Sequence, residues 1–153
     1  MYQQNIWELK GSLLIRQIRR AQLVKNMLKQ FKIKLILDVG CAEGFVTSFL
    51  SQLSADVVGI DIEEDIRFAK DKVKNASFIR ASITHLPFRD QVFEAITLLE
   101  VLEHLQDQTI KEGIKELDRV LKSGGILIIS VPYKEEITFT RCIDPIMGTH
   151  SNL

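Results

Sequence analysis

The chain has 153 residues, 46% hydrophobic and 26% charged, a balance that suits one soluble globular domain with a sizeable core. Twenty Lys and Arg offset twenty Asp and Glu, so no global charge draws it to nucleic acid or to an acidic membrane. Its two cysteines, Cys41 and Cys142, lie far apart, and no signal peptide or long apolar span is present. Those features exclude a disulfide-built scaffold and a membrane span, and they point to a reducing cytoplasm.

The charge is unevenly spread. Residues 1 to 32 hold seven Lys and Arg against Glu8 alone. A solvated helix face is the plainer account; an anionic substrate or membrane surface is the other. Leu14, Ile18, Ala21, Val24, Leu28 and Phe31 recur at intervals of three and four, with Arg19, Gln22, Asn26 and Lys29 opposite. This predicts an amphipathic helix, preceded by a shorter one around Tyr2 to Lys10.

Ile33, Leu35, Ile36 and Leu37 then read as a strand that runs into Leu37-Asp38-Val39-Gly40-Cys41-Ala42-Glu43-Gly44. Phe45, Val46, Phe49, Leu50 and Leu53 leave this turn at helical spacing. Glycines at such a turn let backbone approach a ligand that a Cβ would hold away. Asp38 places a carboxylate at the strand's carboxyl end, where open α/β sheets bind ligands.

A second strand, Ala55 to Asp61, ends in an acid about 20 residues past the first glycine, the spacing at which a carboxylate reaches ribose hydroxyls. A dinucleotide fingerprint would need glycine at 40, 42 and 45, where this chain has Gly40, Ala42 and Phe45. No Lys-Ser or Lys-Thr pair follows, so a P-loop is excluded. Asp38 and Glu43 would repel phosphate. A cationic, adenosine-containing ligand fits better.

Glu63-Glu64-Asp65 open the next helix and Lys70, Lys72 and Lys74 close it, in accord with the helix dipole. Ile62, Ile66, Ala69 and Val73 supply its apolar stripe. Ser77 to Ala81 form a third strand, and Phe93 to Leu99 a fourth that is apolar enough to be buried on both faces. Ile110, Ile114, Leu117 and Leu121 mark another helix, stopped by Ser123-Gly124-Gly125, before a fifth strand at Ile126 to Val131. The expected fold is therefore α/β, a Rossmann-like doubly wound and mostly parallel sheet of about five strands. Its divisions are an N-terminal helical segment (1–32), the ligand-binding domain (33–132) and a short irregular tail (133–153), which leaves the fifth strand as an exposed edge open to oligomerisation.

Four stretches in order resemble class I S-adenosylmethionine-dependent methyltransferases of the small-molecule branch: Leu37–Gly44, Val58–Asp61, Ala81–Phe93 with Leu86-Pro87-Phe88, and Val101–Leu105 followed by Leu117–Pro132. The resemblance implies S-adenosyl-L-methionine as cofactor and methyl transfer to an O, N or C atom of a small molecule. It assigns Gly40, Ala42 and Gly44 to the methionine and ribose portion, and Asp38 to the cofactor's amino group. Asp61 would take the ribose hydroxyls and Ile62 the adenine face. Ser82, where the family often has an acid, and Ile83 would hold the adenine edge, and Leu99 would meet the methionine moiety through its backbone. The family's usual C-terminal strands are apparently missing.

For Asp61 a helix N-cap is the competing role. On the rim, Glu100, Glu103 and His104 follow the fourth strand. His104 is the candidate base, because imidazole titrates near neutrality, although fixing the loop after the strand is an alternative at least as strong. His85, His104 and His150 show no metal-like grouping, so no metal is expected. A basic patch interleaved with aromatics is lacking, which speaks against a nucleic-acid acceptor. The rival to an enzyme is a non-catalytic binding module or a degenerate partner subunit that keeps the cofactor pocket.

Overall fold

The computed structural model describes residues 6–133 and 136–143, with side chains through Pro132. After a 3-10 turn at Ile6–Glu8, helix α1 (Gly11–Leu28) leads to strand β1 (Leu35–Val39). Helix α2 (Phe45–Leu50), strand β2 (Asp56–Asp61), helix α3 (Ile66–Lys72) and strand β3 (Ser77–Arg80) follow. Strand β4 (Phe93–Leu99), a second 3-10 turn at Leu102–His104, helix α4 (Asp107–Val120) and strands β5 (Leu121–Tyr133) and β6 (Glu136–Ile143) complete the order. The sheet runs β3-β2-β1-β4-β5-β6, parallel except for the antiparallel β5–β6 pair.

The order reverses between β1 and β4, so a crevice opens at their carboxyl ends, the usual ligand position of a doubly wound sheet. Both faces of the sheet are covered, because neighbouring residues of a strand point to opposite sides. Leu37, Ile96 and Leu98 pack with Leu117 and Val120 of α4. On the other side Ile36 and Ala95 pack with Val24 and Leu28 of α1 and Leu50 of α2. Near-continuous apolar strands are what this two-sided burial demands.

Three expectations change. Helix α4 stops at Val120, and Ser123-Gly124-Gly125 lies inside β5 as an irregularity. There Phe93 pairs with Leu121 but Ala95 pairs with Ile126, and Gly124 takes φ +73°. Four residues of β5 thus stand against one of β4, which only a bulged strand allows. The tail expected to be irregular from 133 carries β6, whose pairing from Tyr133↔Glu136 to Ile126↔Ile143 covers the β5 edge. Nor is α1 the simple stripe the spacing predicts: Ala21, Val24 and Leu28 are buried, whereas Ile18 is 39% exposed. The expected helix at Tyr2–Lys10 is a 3-10 turn at 6–8, and residues 1–5, Pro145, Gly148 and His150 fall outside the described residues.

Candidate cofactor site

The turn after β1 is built from left-handed residues: Gly40 at φ +72°, Ala42 at +44° and Gly44 at +79°. A Cβ on Gly40 would lie 2.3 Å from Val101 Cγ2, so this backbone must be bare where it meets the loop after β4. Gly40 N and Cys41 N both donate to Ile60 O, at 2.8 and 3.0 Å, fastening the turn to β2. Ala42 N donates to Asp61 Oδ2 at 2.8 Å, and Glu63 N donates to Oδ1 at 2.9 Å. Asp61 is therefore not a helix cap; α3 begins at Ile66, and its N-cap position is Asp65.

Ala42 is the one non-glycine of the three, and a Cβ at positive φ costs about 1–2 kcal/mol. Ala42→Gly is expected to raise stability by about 1 kcal/mol, read as a shift in the chemical-denaturation midpoint without a change of slope.

Two cavities meet at this turn. The first, of about 440 Å³, is lined by Asp61, Ile62, Ser82, Ile83, Val101 and His104, among others. The second, of about 570 Å³, lies under the N-terminal segment between Leu9, Leu13, Gln17 and Arg20 on one side and Glu43, Phe45, Val46 and Leu99 on the other. Gly40, Ala42, Asp65 and Glu100 line both. Each has the size of a small-ligand site.

The first cavity brings together Gly40, Ala42, Asp61, Ile62, Ser82, Ile83 and His104, all anticipated from sequence. Ile62 stands 57% exposed on its wall instead of joining the buried stripe of α3. Ser82 Oγ lies 2.9 Å from Thr84 Oγ1 and accepts from Thr84 N at 3.2 Å, so it also shapes its own turn. His104 is 72% exposed, with Nε2 4.0 Å from Glu103 Oε1, and sits at the mouth. Leu99 lines the second cavity.

Two anticipated residues reach neither cavity. Gly44 starts α2, with its Cα facing Ala69 and Phe78, whose atoms would be 3.0–3.3 Å from a Cβ. Asp38 is 2% exposed; Thr47 Oγ1 donates to its Oδ2 at 2.6 Å and Thr97 Oγ1 to its Oδ1 at 2.7 Å. Burial pushes this carboxyl up to about 6 despite the two hydroxyls. Its place is the junction of β1, α2 and β4. Glu94, the second residue of β4, is likewise a tie: it accepts from Lys34 N, from Leu35 N at 3.3 Å and from Lys122 Nζ at 2.8 Å.

Sequence reasoning did not assign Arg20 or Glu43 to the site. Arg20, with 10% of its side chain exposed, pairs with Glu100 Oε2 at 3.3 Å, and its Nε is buried without a partner among the described residues. Glu43 Oε2 is a second such orphan, and burial raises the Glu43 carboxyl above its ordinary range. Glu100 occupies φ +57°, and its Oε1 accepts from Ser130 Oγ at 3.1 Å. One cation, Arg20, and three carboxylates, those of Glu43, Asp65 and Glu100, thus line the second cavity, and two polar atoms there await partners. Arginine inside an apolar periodicity was the available signal.

A doubly wound sheet whose switch-point crevice holds a glycine turn, a ribose-spaced acid and an apolar wall defines a Rossmann-like protein of the nucleoside-binding class. A family model described as a methyltransferase domain matches residues 37–129. The chain belongs to the class I S-adenosylmethionine-dependent methyltransferases.

Among relatives, the demethylmenaquinone methyltransferase of Bacteroides fragilis is 31% identical over 140 residues, covering 80% of this chain and 56% of that protein. The PH0226 protein of Pyrococcus horikoshii superposes with a TM-score of 0.74 at 28% identity, over 83% of this chain and 57% of that one. The N-methyltransferase NodS of Bradyrhizobium japonicum, crystallised with S-adenosyl-L-homocysteine, gives 0.66 at 25% identity, over 74% and 60%. The chain spans between 37% and 56% of the length of the curated relatives it matches. Among the described residues no helix is long and apolar enough to cross a membrane.

Proposed function

We propose that this chain binds S-adenosyl-L-methionine across the two cavities and transfers its methyl group to an O, N or C atom of a small acceptor. What carries the reading is the division of the crevice at Gly40, Ala42, Asp65 and Glu100: a half with Asp61, Ile62, Ser82 and Ile83 on one side, and a half that sets the cation of Arg20 near Glu43 and Glu100 on the other. Asp61 offers carboxylate oxygens to ribose hydroxyls, Ile62 covers an adenine face, and Ser82 and Ile83 border the ring edge. Arg20 provides a donor for the amino acid's carboxylate, and Glu43 and Glu100 acceptors for its ammonium. The orphaned atoms of Arg20 and Glu43 fit that zwitterion, because each gains a partner of opposite charge.

When bound, the cofactor supplies an activated methyl for in-line displacement, so the protein's part is to position the acceptor and exclude water. A base is needed only where the acceptor carries a proton. His104, at the mouth, takes that role. His104→Ala should leave affinity for S-adenosylhomocysteine unchanged and lower turnover of a protonated acceptor by about 100-fold.

Calorimetric titration with S-adenosylhomocysteine tests binding, and release of that product from S-adenosylmethionine across hydroxyl, amine and carbon acceptors tests transfer. Absence of binding sinks the whole reading. Binding without turnover on any acceptor favours the rival, a cofactor-binding module.

Arg20 has its own test. Arg20→Met is expected to weaken S-adenosylhomocysteine at least about tenfold, the loss of a charge-assisted contact. Methylthioadenosine, which lacks the amino-acid end, should be held as before. Equal losses for both ligands would show that Arg20 only supports the fold.

A further inference from the structure

The first turns of α1 reverse the usual arrangement of a surface helix. Leu13, Gln17 and Arg20 face the second cavity, while Ile15 and Ile18 turn to solvent, 49% and 39% exposed. Leu23, 43% exposed, extends the row that Ile15 and Arg19 begin at spacing of four. Arg16 and Arg19 are exposed on the same outward side and make no ion pair among the described residues. No Asp or Glu occurs between Glu8 and Asp38, although eight Lys and Arg fall between Lys10 and Lys34. Scattered exposed apolar side chains are ordinary, but here five of the nine exposed large hydrophobics among the described residues lie between Leu13 and Phe31.

We infer that the outward face of α1 docks on an anionic lipid surface. Aliphatic side chains set among unpaired arginines are what an interfacial helix presents: the apolar groups enter the acyl boundary while the guanidinium heads stay with the phosphates. A nucleic-acid surface would use the charge and have no need of Ile15, Ile18 and Leu23. A two-fold pairing with a second copy would set one basic face against another. Leu13, on the cavity-facing side of the same helix and 43% exposed, lines the second cavity, so the helix that docks is also a wall of that cavity. An acceptor with an apolar body could then enter from lipid; this last step rests on the methyl-transfer reading, whereas docking does not.

The test is co-sedimentation with vesicles of phosphatidylcholine, with and without phosphatidylglycerol. Expected is retention on the anionic vesicles alone, weakening as salt is raised. Arg16→Glu with Arg19→Glu should lower partitioning at least about tenfold, and Ile15→Ser with Ile18→Ser by a similar factor. These positions face solvent, so melting curves should match the parent. S-adenosylhomocysteine affinity in the same samples should be unchanged, which separates failure of docking from failure of the cofactor site. No preference for anionic vesicles would overturn the inference. So would loss through the arginine changes alone, the mark of a charge-only face for nucleic acid or an acidic protein. Sedimentation velocity showing a dimer abolished by the isoleucine changes would also overturn it.

Discussion

Asp61→Ala is expected to weaken S-adenosylhomocysteine by at least about tenfold and up to about 100-fold. The carboxylate ends β2 at the wall of the first cavity, already oriented by Ala42 N and Glu63 N. Hydrogen bonds to a charged acceptor contribute about 1.5–3 kcal/mol, and a group fixed in advance loses little rotamer freedom on binding. Removing it also releases the amide of Ala42, so part of the loss comes from a looser turn. Asp61→Asn separates the two contributions, because the amide oxygen can keep one brace while the charge is gone. Methylthioadenosine should suffer the same factor as S-adenosylhomocysteine, the opposite of Arg20→Met. A calorimetric affinity unaltered by Asp61→Ala would remove the ribose assignment.

The second large effect lies at Asp38, and its sign runs against habit. Its carboxyl is pushed up to about 6 by burial, so the folded state holds its proton more tightly than the unfolded chain does. Stability from this group is therefore fully present below about pH 4 and is lost as pH rises through about 6, on the order of 2–3 kcal/mol by neutrality. Asp38→Asn should remove that dependence, leaving the variant more stable than the parent at about pH 7.5 and similar at about pH 4.5. Asp38→Ala should be destabilising at both, because the hydroxyls of Thr47 and Thr97 lose their buried acceptor. Glu94 and Glu116 act in a separate window. Both are held down at about 2, Glu94 chiefly by Lys122 and Glu116 chiefly by Arg119, so their contribution fades only as pH falls from about 4 toward 2. Denaturation curves for the three proteins at the two pH values decide the matter. A parent that gains stability between them would refute the sign.

The parallel strands were legible because burial on both faces leaves near-continuous apolar runs, as in Leu35 to Val39 and Phe93 to Leu99. The turn from Gly40 to Gly44 was legible because its backbone needs left-handed residues, and glycine declares that need. Glu136 to Ile143 escaped notice. Its partner strand supplies the reason it is a strand, and a single edge strand has little local signal. Gly124 and Gly125 read as a helix stop because a bulge and a stop use the same residue.

The site followed the same division. Asp61 ends β2, and Ile62, Ser82 and Ile83 come just after β2 and β3, so order along the chain was enough to anticipate that they line one cavity. Arg20 turns inward because Glu100, eighty residues away, waits there with a carboxylate, a relation no window of sequence contains. Asp38 was expected to help orient the cofactor's amino group, often through water; Thr47 and Thr97 hold it in the junction beneath the turn, a partnership that no local pattern announces.

Trp7 is the chain's single tryptophan, and its indole donates to Glu43 O at 3.0 Å while meeting Phe45 edge-on at a centroid distance of 5.4 Å. Phe45 and Glu43 both line the charged cavity. This chain thus carries one indole fluorophore, hung on the peptide beside the orphaned carboxylate. Excited apart from the two tyrosines, its emission is expected to follow occupancy of that half of the crevice in real time, with no label and no second indole to blur the signal.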